Sequence, residues 1–218
     1  MTTITVALRA TLVTLVVTGL VYPLAVTGLA QVVFPHRANG SIVVDDQGRE
    51  VGSELIGQAF TGAAYVRPRP SAHAYDASTS GGTNLGTTSN KLRDGLPDDP
   101  ATRDVDESFA GVKDLAASFR ADNGLPDDVE VPADAVSRSA SGLDPDVSPD
   151  TAMLQAPRIA RARGVAIDRV QAVIAAHTED RELGLLGEPH VNVLAVNLAL
   201  DRQFGRPNHH PVAGSTHD

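Results

Sequence analysis

The stretch "SASGLDPDVSP", Ser139–Pro149, continues as "DTAMLQAPRIARARG" to Gly164. Three hydroxyls, one glycine, two aspartates and two prolines fall within eleven residues. Three readings compete for it. A phosphate loop needs several glycines whose amides converge, usually followed by lysine and Ser/Thr. Here there is one glycine and no lysine. A calcium loop needs alternating oxygen ligands and a closing glutamate. Asp144, Asp146 and Asp150 are present, but no glutamate closes the set. The structural reading is stronger. Gly142 turns the chain, Asp144-Pro145 begins a turn, and Ser148 caps a helix whose first residue is Pro149. Gly164 ends that helix. Pro157 inside it predicts a kink or break.

The flanking sequence extends the pattern. "AIDRVQAVIAAHTED" predicts an amphipathic helix with Ile167, Val170, Val173 and Ile174 on one face. "VNVLAVNLALDRQFG" predicts a strand running into a final helix. Upstream, "VDESFAGVKDLAASFRADNG" has Phe109, Val112, Leu115, Ala116 and Phe119 at helical spacing, with Gly124 as its stop. "SIVVDDQGREVGSELIGQAF" predicts a hairpin around an Asp46–Gly48 turn. Between them, "AYVRPRPSAHAYDASTSGGTNLGTTS" has little periodicity and reads as a long loop of the functional or partner-bound kind.

The N-terminus sets the class of the protein. "ATLVTLVVTGLVYPLAVTGLAQVVFP", Ala10–Pro35, carries no charge. Its 26 residues span roughly 39 Å as a helix, against about 30 Å of hydrocarbon. The competing reading is a cleaved signal peptide, whose apolar core is normally about 7–15 residues before a small-x-small site. This run is longer and lacks a clear site, so it is read as a retained anchor that Pro23 kinks. The positive-inside tendency keeps residues 1–9, with Arg9, in the cytoplasm and puts the bulk of the chain outside. Thr11, Thr14, Thr18, Tyr22 and Ala25 share one face. They form a helix-packing surface, or each threonine bonds its own preceding turn.

Composition narrows the function. The chain has 218 residues, 42% of them hydrophobic, enough for one globular core beside the anchor. It has no cysteine, which excludes disulfides, zinc-thiolate sites and thiol nucleophiles. No tryptophan, 4% aromatics and a net charge of −9 argue against nucleic acid. From Asp94 to Asp150 there are 15 acids and 4 bases, with two copies of "GLPDD". Residues 94–106 read as a solvated acidic insertion loop, and 205–218 as a disordered tail. The histidines show no H-E-x-x-H spacing, and Ser71 and Ser141 lack a GxSxG context. Arg158, Arg161 and Arg163 either hold an anion or complement a helix dipole. No catalytic set and no metal site emerges. The expected fold is α+β, one transmembrane helix followed by a single mixed α/β extracytoplasmic domain over residues 36–204.

Several segments together resemble a known family. They are the charge-free helix, "YVRPRPS", "SGGTNLG", "VPADAVSRSASGLDPDVSPDTAMLQAPRIARARG" and "GEPHVNVLAVNLALD". The chain resembles the C subunit of the Kdp-type bacterial potassium-transporting ATPase from Ala10 to Asp201. The resemblance implies a non-catalytic accessory subunit of a potassium uptake complex in the bacterial cell membrane. Its implied partners are a channel-like potassium subunit, a P-type ATPase subunit, a small accessory membrane subunit and membrane lipid. The family is also described as a catalytic chaperone that raises the pump subunit's ATP affinity. That role implies nucleotide contacts at Ser141, Gly142 and Gln155, with ATP reached through the pump subunit and no firmly bound cofactor. A domain outside the membrane cannot touch cytosolic nucleotide, and the residues themselves favour capping and packing. The alternative from another class is a membrane-anchored extracytoplasmic binding domain acting outside any pump.

Overall fold

A computed structural model describes residues 2–45, 47–97 and 108–207. By compactness the chain divides into two units, Met1–Leu55 and Ile56–Asp218. Most of the acidic insertion, at 98–106, lies outside the described residues, as do residues 208–218 of the tail with His209, His210 and His217.

The first unit begins with one long helix. It runs as α1 (Thr3–Val16), a π-helical turn (Val17–Val21) and α2 (Tyr22–Val33). Together they make 31 residues, long and apolar enough to cross a membrane, with none of the span buried. The π turn sits just ahead of Pro23. Proline has no N–H for the carbonyl four residues back, and a wider turn absorbs the missing bond. The Thr18 hydroxyl donates to the Thr14 carbonyl at 2.7 Å, a local back-bond. A short α3 (Pro35–Ala38) follows, then a hairpin of β1 (Ile42–Val44) and β2 (Glu50–Ser53), antiparallel with a bulge between Val43 and Val44. Asp45 closes its turn by accepting from the backbone N–H of Gln47 and Arg49 and from the Arg49 guanidinium.

The second unit is mixed α/β. Its regular elements are α4 (Asn90–Asp94), α5 (Val112–Asn123), α6 (Ala133–Val136), β3 (Asp146–Val147), α7 (Pro149–Arg163), α8 (Ile167–Ala176), β4 (Thr178–Glu179), β5 (His190–Asn192) and α9 (Val193–Phe204). The strands form a small antiparallel sheet in the order β3-β5-β4, with Val147 and Thr178 both opposite Val191. Alternation places Val147 and Val191 in the core. Helices α7, α8 and α9 complete that core with Ala152, Ala156, Ile159, Val170, Val173, Ile174, Val193, Val196 and Leu200.

The predicted helix stops hold. Gly124 and Gly164 end α5 and α7 in the left-handed conformation that glycine adopts without steric penalty. Pro157 does not break α7, which is helical from Pro149 to Arg163. Ala152, Gln155, Ala156, Arg158, Ile159 and Ala160 are all buried on that helix. Tertiary packing on both sides of the proline outweighs the one lost backbone bond. Phe109, expected on α5, precedes it in an isolated bridge to Leu96.

Candidate functional site

Two irregular segments meet the helical layer, and the residues singled out in the sequence divide between them. The first is the turn Ser139–Pro149. Its serines act on their own backbone. Ser139 Oγ accepts from the Gly142 N–H at 2.8 Å, and Ser141 Oγ accepts from the Leu143 N–H at 3.1 Å. Asp144 Oδ1 accepts from the Asp146 N–H, and Ser148 Oγ accepts from the Thr151 N–H at the start of α7. These are Asx- and Ser-type turns in series, ending in an N-cap.

The carbonyls of the same turn are taken by the long loop and by Gly57 upstream of it. Gly81 N–H donates to Ser141 O at 2.8 Å, Ser71 Oγ to Gly142 O at 2.7 Å, and Gly57 N–H to Leu143 O at 2.8 Å. Ser71 Oγ also accepts from the N–H groups of His73 and Tyr75. Gly142 has φ 69°, and a Cβ there would lie 2.9 Å from Gly81 O, so both its backbone conformation and its neighbour require glycine. Arg69 ties the loop down further through an ion pair to Asp144 at 2.6 Å. The Tyr75 hydroxyl donates to Arg69 O. Burial, reinforced by the Asp144 carboxylate, raises that phenol well above its ordinary pKa.

The second segment is the strap Gly62–Arg67, a turn at Gly62–Tyr65, where the Tyr65 N–H donates to Gly62 O at 3.3 Å, that runs on through Val66 and Arg67. It has no strand partner, yet each of its six carbonyls accepts from a side chain. Arg158 donates from Nη1 to Gly62 O and Ala63 O, and from Nη2 to Tyr65 O. Arg163 Nε donates to Ala64 O at 2.7 Å. Asn197 pairs with both backbone groups of Val66, accepting from its N–H at 2.8 Å and donating to its carbonyl at 2.9 Å. Gln155 does the same for Arg67, at 2.8 Å and 3.1 Å. Successive residues of an extended chain aim their backbone groups to opposite sides. Asn197 on α9 and Gln155 on α7 therefore flank Val66 and Arg67 as two neighbouring strands would.

Gln155 is 1% exposed, and its Oε1 also accepts from Arg158 Nη2 at 2.6 Å. Arg158 is 5% exposed, with Nε donating to Asn123 Oδ1. Burial, and then the Arg67 cation, push its guanidinium down to about 10, so it stays charged at neutral pH. Among the described residues Gln155 shares no hydrogen bond with Ser141 or Gly142. Those two belong to the turn, and Gln155 to the strap.

The sequence did not reveal Asn123, Asp134 or Asn197. Asp134 anchors the start of α7, with Oδ2 accepting from Ser148 N–H and Oδ1 from the Ser148 and Thr151 hydroxyls. Nor did it reveal that Arg158 and Arg163 reach back to carbonyls some ninety residues earlier rather than holding an anion. Arg163 also donates to the carbonyls of Leu200 and Gly205 and pairs with Asp201 at 2.8 Å, bracing α9.

Beside the turn opens a cleft of about 410 Å³ lined in part by His73, Gly82, Lys91, Phe109 and Arg138. Arg138 lies 4.3 Å and Lys91 5.4 Å from the Phe109 ring centre, so one ring faces two cations. Arg138 also donates to Ala110 O. Among the described residues no three His, Asp or Glu side chains gather as metal ligands would.

A family model described as "K+-transporting ATPase, c chain" matches residues 4–202, which includes the long helix, the strap, the turn and α9. The chain belongs to the KdpC family. It is 54% identical over 201 residues to a protein of Myxococcus xanthus named "Potassium-transporting ATPase KdpC subunit", covering 91% of this chain and 87% of that protein. A Geobacter sulfurreducens protein of the same name is 48% identical over 187 residues, covering 84% and 88%. One of Mycobacterium tuberculosis is 48% identical over 198 residues, covering 90% and 96%.

Proposed function

We propose that the chain is the non-catalytic accessory subunit of a high-affinity, ATP-driven potassium uptake complex. One N-terminal helix holds it in the membrane, and the mixed α/β domain lies on the extracytoplasmic side beside the channel-like potassium subunit. It acts by contacts that assemble and stabilise the complex. Any rise it causes in the pump subunit's ATP affinity travels through those contacts.

The observation that carries the non-catalytic part is the state of Gln155. Its amide already serves both backbone groups of Arg67 and the Arg158 guanidinium, with almost no exposure. The turn supports the same reading. A phosphate needs convergent free amides, and the N–H groups of Gly142 and Leu143 are occupied by Ser139 and Ser141. Ser141, Gly142 and Gln155 thus serve the fold rather than nucleotide.

Topology is the test. Ser118 is exposed on α5, and the chain has no cysteine. The Ser118→Cys variant reacts with an impermeant maleimide on intact cells under this reading. Labelling only after lysis would place the domain in the cytosol and restore a direct nucleotide role. Co-purification of the wild-type chain with two large membrane subunits separates the pump reading from a binding domain that acts alone.

A further inference from the structure

The connection between β4 and β5 is a tight loop, Arg181–Glu188, that exposes three leucines. Leu183 is 96% exposed, Leu185 76% and Leu186 56%. They are the most exposed large apolar side chains of the second unit among the described residues. The loop is also well braced. Glu182 N–H donates to Leu186 O at 2.8 Å and Leu186 N–H to Glu182 O at 2.9 Å. Gly184 N–H donates to Arg181 O and Leu185 N–H to Glu182 O, while Arg181 and Glu188 close the base with an ion pair at 2.6 Å.

Leu183 has φ 56°, the left-handed region, beside Gly184 at 72° and Gly187 at 78°. A branched side chain is disfavoured there, and a turn that only joins two strands takes Asn or Gly. A strained, exposed leucine at a braced tip calls for a use outside the domain.

We infer that the Arg181–Glu188 loop is a preformed plug whose three leucines enter an apolar pocket with a basic rim on another protein subunit of the transporter. The inference rests on the accessory-subunit reading above. Charge selects protein over lipid. Asp180, Glu182 and Glu188 surround the tip against Arg181 alone, a net of −2, with no lysine and no aromatic residue. Loops and helices that settle into a lipid surface carry Lys/Arg and Trp/Tyr at its edge, and carboxylates there are repelled by anionic headgroups. A protein pocket can meet the carboxylates with fixed cations. The bracing means little conformational freedom is lost on docking.

Two measurements on the full-length chain in native membranes test this. In the first, Leu185 is replaced by photo-reactive p-benzoylphenylalanine. Irradiation is expected to join this chain to a second subunit in one adduct. Cross-linking to lipid, or no adduct, would overturn the plug. In the second, Leu183→Asp, Leu185→Asp and Leu186→Asp are combined. Recovery of complex on this chain is expected to fall roughly tenfold or more, as for a buried anchor cluster. The thermal transition of the domain should stay put, since the loop lies outside the core. Undiminished recovery would overturn the inference. Failure of the wild-type chain itself to co-purify with any other subunit would instead sink the accessory-subunit reading, which keeps the two failures apart.

Discussion

The strap Gly62–Arg67 and the turn Ser139–Pro149, regular only at β3, both engage their backbone with side chains, but by different means. The turn meets the N–H groups of Gly142, Leu143 and Asp146 with its own side chains two or three residues away, from Ser139, Ser141 and Asp144, and draws distant partners for its carbonyls. The strap relies on Gln155, Arg158, Arg163 and Asn197, between 88 and 131 residues away. A segment whose side chains serve its own N–H groups loses one local bond when a side chain is removed. A segment held from a distance exists only when the helical layer has docked, and it then couples α7 to α9 through its own backbone. Lost side chains should therefore cost much more at the strap than at the turn.

The sharpest test is Arg158→Ala. It removes donors from three strap carbonyls, from Asn123 and from Gln155, and each buried group left unpaired costs about 1–3 kcal/mol. A total of at least about 4 kcal/mol is expected, a large share of the 5–15 kcal/mol typical of a domain. Thermal unfolding of the purified full-length chain reads it. A loss below about 1 kcal/mol would mean that water replaces the guanidinium and the strap is not held as described.

Gln155→Ala and Asn197→Ala come next, at about 2–3 kcal/mol each. Both act on adjacent residues of one strand-like segment, so the double variant should lose less than the sum. Full additivity in the same melts would show two independent contacts instead of one strap.

Gly142→Ala is the largest effect expected within the turn. The left-handed backbone costs an L-residue about 1–2 kcal/mol, before the contact with Gly81 O is counted. Ser148→Ala should cost about 1 kcal/mol, the usual loss of an N-cap. If Ser148→Ala matched Arg158→Ala, the contrast between the two segments would fail.

The same contrast explains what could be read from the sequence. Ser148-Pro149, Gly124 and Gly164 state their roles within a few residues, so both ends of α7 and the C-terminal end of α5 follow from local rules. The 3.6-residue pattern of Val170, Val173 and Ile174 likewise marks α8, although Ile167 on the predicted face stays 43% exposed. The break expected at Pro157 is absent because propensity is local and the packing around Ala156 and Ile159 is not. Arg158, Arg163 and Asn197 carried no signal, because a buried arginine on carbonyls and a surface arginine at a helix end look alike in one dimension. "AYVRPRPS" read as a loop, and it has no helix or strand; what the sequence left out is how its backbone is held. Its ladder partners are side chains, and no periodicity records them.

Under the proposed function, Ser141 and Gln155 serve the fold and not a nucleotide. This is tested most directly by the ATP concentration giving half-maximal ATPase activity of the assembled potassium-transporting complex. Ser141→Ala and Gln155→Ala are compared with wild type at equal amounts of complex. The account predicts values within about twofold of wild type for both, with Gln155→Ala lowering only the yield of complex. A rise of about tenfold or more, equivalent to about 1.4 kcal/mol, in fully assembled complex would contradict it.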